Sequence, residues 1–177
     1  MRKKLSALFL VVSILALVPV VSTSAKRPLV GTMDLQFNLG WPGPQQTTIP
    51  DWIGNIEIGE NAYGMAFFAI GTGRPFEVQN EGSAYFFEEI WRIYETINYV
   101  FDENGVLQDW DHGEVLLWGY DEGLTNMKNS KYHMLGLVEE AVGSFTVWSG
   151  RHVYMSGNII WYPFEAPHYA PGTMRIN

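Results

Sequence analysis

Tyr132–Tyr162 reads YHMLGLVEEAVGSFTVWSGRHVYMSGNIIWY, and its reading decides the fold. Two runs of alternating character flank Ser149-Gly150-Arg151. In the second run Val153, Met155, Gly157, Ile159 and Trp161 share one side, while His152, Tyr154, Ser156, Asn158 and Ile160 share the other. A period of two is the signature of a strand, and a short connection centred on glycine makes the pair a hairpin.

Upstream, the same alternation recurs. Met33, Leu35, Phe37 and Leu39 oppose Thr32, Asp34, Gln36 and Asn38, which predicts a half-buried strand over 32–39. The Gly- and Pro-rich residues 40–46 end it and form a long loop, a candidate flap. Strands are expected over 52–58 and 63–70; the second (YGMAFFAI) is apolar on both faces, so it is central or borders a filled interior. Residues 83–99 fit two patterns. Phe87, Ile90, Trp91, Tyr94 and Ile97 have helical spacing, but aromatic and β-branched content and strand-rich neighbours favour strand. Asn104-Gly105 marks a hairpin turn, with a return strand over 106–118 broken near Gly113. The polar segment 119–131 reads as an exposed loop, and a last short strand covers 173–176. Many short strands with regular turns and no convincing helix give an all-β fold: an antiparallel barrel of about eight strands, with a sandwich as the alternative.

Ahead of this domain, Arg2, Lys3 and Lys4 precede an apolar run, Leu5 to Val21, and then Ser22-Thr23-Ser24-Ala25. Basic, apolar and small in that order is a secretory signal peptide, expected over 1–25, with an uncleaved anchor as the alternative. Residues 26–177 then form a single domain, located outside the cell or at its envelope. Removing Arg2, Lys3 and Lys4 leaves eight Lys and Arg against nineteen Asp and Glu, a formal charge of −11. So acidic a chain repels nucleic acid and anionic membrane surfaces. The absence of cysteine removes disulfides, thiolate catalysis and zinc–sulfur sites.

A resemblance accompanies the C-terminal pattern. A strand ending Val138-Glu139-Glu140-Ala141 is followed by Gly143, Phe145 and Gly150, then a strand with an interior Gly157 and an edge containing Gly172. This arrangement is similar to the barrel of the allene oxide cyclase and dirigent superfamily. The resemblance implies an eight-stranded antiparallel barrel with an apolar pocket. The catalytic residues of those families do not map onto this chain.

Candidate chemistry is sparse. In Glu88-Glu89, a strand forces one carboxylate toward the aromatic core, where it must be paired or protonated. Glu88, Glu89 and Arg92 are therefore candidates for a cavity acid, or for a structural ion pair of Arg92 with Glu88 on one face. Phe87, Trp91, Tyr94 and Trp161 are candidate ligand contacts, drawn from a chain with seven Trp, nine Tyr and ten Phe. Asp109 and Asp111 are the only candidate metal ligands, and a strand splits them from His112 and Glu114 onto opposite faces, so a solvated acidic strand end is the simpler reading. His133 and His152 are the one histidine pair that could meet, across the hairpin. No G-x-S-x-G elbow and no cofactor motif is present. Three functions remain: a non-catalytic binder of a small apolar ligand or envelope module, an isomerase or cyclase using a barrel carboxylate, and an extracellular interaction module using the 40–50 and 119–131 loops.

Overall fold

The computed structural model describes residues 27–43, 48–71, 74–78, 82–126, 129–160 and 168–177. The expected signal peptide and Trp161 lie outside these residues. The described strands are β1 (Leu29–Phe37), β2 (Trp52–Ile58), β3 (Asn61–Ala69), β4 (Arg74–Val78), β5 (Gly82–Tyr94), β6 (Ile97–Phe101), β7 (Leu107–His112), β8 (Val115–Asn126), β9 (Lys131–Ala141), β10 (His152–Asn158) and β11 (Gly172–Ile176). Eight of them close into an antiparallel barrel in the order β3-β2-β1-β11-β10-β9-β8-β5, with β5 returning to β3. Closure removes the unpaired edges that an open sheet would expose.

β5 makes closure possible. It pairs with β8 along almost its whole length. Its second half pairs with β3 and its first half with β4. The run over 83–99 is thus strand rather than helix, and its β-branched and aromatic residues suit a pleated surface packed on both sides. The ladder turns Phe87, Glu89, Trp91 and Ile93 inward and Glu88, Ile90, Arg92 and Tyr94 outward.

β3 is buried on both faces for a specific reason. Met65, Phe67 and Ala69 point into the barrel, whereas Ala66 and Phe68 point out. The β6–β7 hairpin folds over that outer face, so Ile53, Ala66, Phe68 and Tyr94 form a second core with Ile97, Tyr99, Phe101 and Trp110. The hairpin turns at Gly105, in the left-handed region at φ 74°, while the Asp102 carboxylate accepts the amides of Asn104 and Val106, each at 2.9 Å.

Three expectations change. Residues 119–126 are not a loop but the second half of β8, paired with β9 from Gly119 to Asn126. There the alternation is inverted: Gly119, Asp121, Gly123 and Thr125 are buried and Tyr120 and Leu124 are exposed. Small and polar residues facing inward look like a loop on composition alone. In the opening stretch, β9 and β10 do pair, but the connection is longer than a turn and holds a 3-10 helix, Gly143–Trp148, that buries Phe145. The same register puts His152 opposite Leu137 and His133 opposite Ser156, so these two histidines are separated along the hairpin.

Candidate functional site

The barrel interior has two halves. In one, Trp91, Ile93, Met65, Ile56 and Leu117 are fully buried and fill the space between the strands. Trp91 fits because Gly119 stands opposite it: a Cβ there would lie 2.8 Å from Trp91 Cζ2. In the other half a cavity of about 300 Å3 remains. Its walls are Leu35, Phe67, Phe87, Met134, Ile159 and Ala170, and its rim carries Phe37, Trp41 and Trp52. Phe37 packs on Trp52 with ring centroids 5.0 Å apart and meets Trp41 edge-on at 6.3 Å. The volume lies at the lower end of the range for small-molecule pockets.

Two carboxyl groups, Asp51 and Glu89, line this apolar chamber, and a third, Asp121, is buried beside Glu89 on the inward face of β8; each is at most 4 % exposed. Asp51 immediately precedes β2. Its amide donates to Phe67 O at 3.1 Å and its Oδ1 accepts the Ala69 amide at 3.2 Å, which ties the β1–β2 connection to the end of β3. Asn38 fixes the same corner: its Oδ1 accepts the amides of Gly40 and Leu107 and its Nδ2 donates to Pro50 O. Glu89 and Asp121 are register partners on β5 and β8. Gly136, opposite Asp121 on β9, leaves room for its side chain: a Cβ there would lie 2.7 Å from Asp121 Cβ.

No Lys, Arg or His lines the cavity among the described residues. Burial without a cation penalises the charged form of each acid. It pushes Asp51 up to about 6, tempered by a hydrogen bond from Glu89. Glu89 is raised well above the ordinary carboxyl range by burial, then by the nearby Asp51 and Asp121. Asp121 is raised well above its range by burial and then by Asp51. The hydrogen bond between the two lowers Asp51 and raises Glu89, so Glu89 is the donor of the pair and Asp51 the acceptor. Both oxygens of Asp121 and the hydroxyl of Thr125 are buried with no hydrogen-bond partner. Tyr132, also on the wall, is raised by burial and by Glu89 and sends its hydroxyl to Ala170 O at 3.5 Å.

The sequence candidates separate sharply. Glu89 and Phe87 line the cavity. Trp91 faces inward but lies in the filled half. Glu88 is exposed on the outside, and Arg92 faces outward with its guanidinium 4.6 Å from the Phe68 ring centroid. Tyr94 lies outside the barrel beneath the hairpin, 4.3 Å from the His112 ring. Asp109 and Asp111 are exposed on β7, and Asp111 accepts Asn98 Nδ2 at 2.8 Å. Among the described residues no group of three His, Asp or Glu could hold a metal ion. Sequence reasoning missed Asp51, Asp121, Thr125 and Tyr132. Only the odd-position alternation of Gly119, Asp121, Gly123 and Thr125 could have pointed to two of them.

No protein-family model, curated protein or solved structure matches this chain.

Proposed function

We propose that this protein binds a small, mainly apolar molecule inside its barrel, as a non-catalytic binder or envelope module outside the cell. The observation that carries the reading is the cavity of about 300 Å3, walled by aliphatic and aromatic side chains, in a barrel whose other half is filled. The basic, apolar and small order of residues 1–25 supports export, and an apolar pocket agrees with the resemblance to the allene oxide cyclase and dirigent superfamily. Native mass spectrometry of protein purified from its own host tests the idea. A bound molecule is expected, and it should be missing from Ala69→Leu, which puts a larger side chain into the cavity. Wild-type protein that carries nothing, and whose tryptophan fluorescence no apolar probe changes, overturns the reading.

One observation favours a second reading, an isomerase- or cyclase-type enzyme. The Asp51–Glu89 pair is two buried, hydrogen-bonded carboxyls with raised pKa values lining the cavity, an arrangement that suits proton removal and return at neighbouring atoms. Turnover abolished by both Glu89→Gln and Asp51→Asn, with binding retained, would separate it from simple binding. A third reading, an interaction module, draws on the barrel exterior, where Tyr120, Leu135, Leu137 and Tyr154 are 41–59 % exposed on adjoining strands.

A further inference from the structure

We infer that the molecule bound in the barrel carries a protonated amine, seated against the Asp51–Glu89 pair with its apolar body toward the rim. The inference rests on the ligand-pocket reading and adds the chemistry of the occupant.

The chamber presents carboxyl groups to an occupant, with no Lys, Arg or His on its lining among the described residues. Asp51, from the β1–β2 connection, and Glu89, from β5, line the cavity, and Asp121 on β8 is buried as the register partner of Glu89. A buried carboxylate is ordinarily matched by a cation or a set of donors. Here Asp51 has the Ala69 amide and Glu89, and the carboxyl oxygens of Asp121 have no hydrogen-bond partner. Thr125, 1 % exposed and on the cavity wall, has an unpartnered hydroxyl. That residue is independent of the acids and points the same way: a polar guest completes this end of the cavity.

The type of guest follows from elimination. A hydrocarbon leaves the Thr125 hydroxyl on the cavity wall unpartnered, at a cost for a buried polar atom. A carboxylate or phosphate adds further acid to a site that no Lys, Arg or His lines among the described residues. The carboxyls do not converge on one point in the way a hard metal ion demands. An ammonium group supplies three donors and no acceptor, in addition to the missing positive charge. Phe37, Trp41 and Trp52 also line the cavity and suit the apolar body of the guest. The walls set the rest: Leu35, Phe67, Met134 and Ile159 call for a compact hydrocarbon body.

The test uses three probes with one body: cyclohexylmethylamine, cyclohexylmethanol and cyclohexanecarboxylate. Each is titrated into the full chain near neutral pH by calorimetry and tryptophan fluorescence. Wild-type protein is expected to bind the amine about tenfold or more tighter than the alcohol, and the carboxylate not at all. Glu89→Gln and Asp51→Asn should each bring the amine down to the level of the alcohol while leaving the alcohol unchanged. Retained alcohol binding shows that both variants are folded. If the alcohol binds as tightly as the amine in wild-type protein, and Ala69→Leu abolishes both, the amine assignment is overturned while the pocket stands. If none of the three binds, the pocket reading fails and the assignment with it.

Discussion

In the filled half of the barrel, Trp91 and Ile93 on β5 meet Gly119 and Leu117 on β8, and no space remains between them. Two to four residues earlier on β5, Glu89 and Phe87 meet Asp121 and Gly123, and a chamber opens. The same two strands, in one continuous register, build both. The difference lies in which residues occupy inward positions. Large apolar side chains opposite glycine or leucine close the barrel, whereas carboxyls and small residues leave a cavity that apolar packing cannot fill. The first half holds the fold together. The second gives up stability, since it buries acids with no cation on its lining among the described residues, and that is the usual mark of a site kept for function.

The contrast can be broken most forcefully at Trp91. Trp91→Ala removes a fully buried indole from the filled half and should cost about 3–5 kcal/mol in chemical denaturation. Phe87→Ala, on the wall of an existing cavity, should cost less than about 2 kcal/mol because part of its surface already faces empty space. Equal losses at the two sites would mean that the halves do not differ in packing.

The acids provide the next largest effect, with the opposite sign. Asp51, Glu89 and Asp121 bind protons more tightly in the folded protein than in the unfolded chain. Their contribution to stability is fully present below the ordinary carboxyl range. It falls as pH rises through the value of about 6 for Asp51, and further as Glu89 and Asp121 ionise. Asp121→Asn should therefore raise unfolding free energy by about 1–3 kcal/mol in mildly alkaline buffer. The gain should shrink toward zero in acid, where the wild-type acid is neutral as well. A gain that does not depend on pH would point to packing rather than charge.

A smaller effect tests the empty space directly. Ala69→Leu adds volume where the cavity has room and should change stability by less than about 1 kcal/mol. Gly119→Ala adds only a methyl, but against Trp91 and the backbone of β9, and should cost about 1–3 kcal/mol in the same assay. If Ala69→Leu were the more damaging change, the chamber would be smaller in solution than about 300 Å3.

Much of the barrel was legible before folding. The limits of β2 and the last strand follow from alternation, and the Asn104-Gly105 hairpin from its turn chemistry. The site was legible only in outline. Period two requires one of Glu88 and Glu89 to face the core, but register alone decided that it is Glu89. The second half of β8 was misread because its inward residues are glycine, aspartate and threonine, the composition of a loop. Asp51 was missed because it precedes its strand; its place in the cavity comes from hydrogen bonds to Phe67 and Ala69, more than a dozen residues away.

Most of the strands, the absence of cysteine, the acidity and the all-β class follow from the sequence alone, since these depend on local alternation and composition. The opening hairpin over 132–162 belongs to that group, apart from the 3-10 helix in its connection. Only the tertiary structure decided that β5 closes onto β3, that the β6–β7 hairpin covers the outside of that seam, and that Asp51 and Glu89, distant in the chain, share one chamber. Closure sets the register of every strand against its neighbours around the barrel, and register is a non-local quantity: shifting one strand by a single residue would turn Glu89 outward and Glu88 inward.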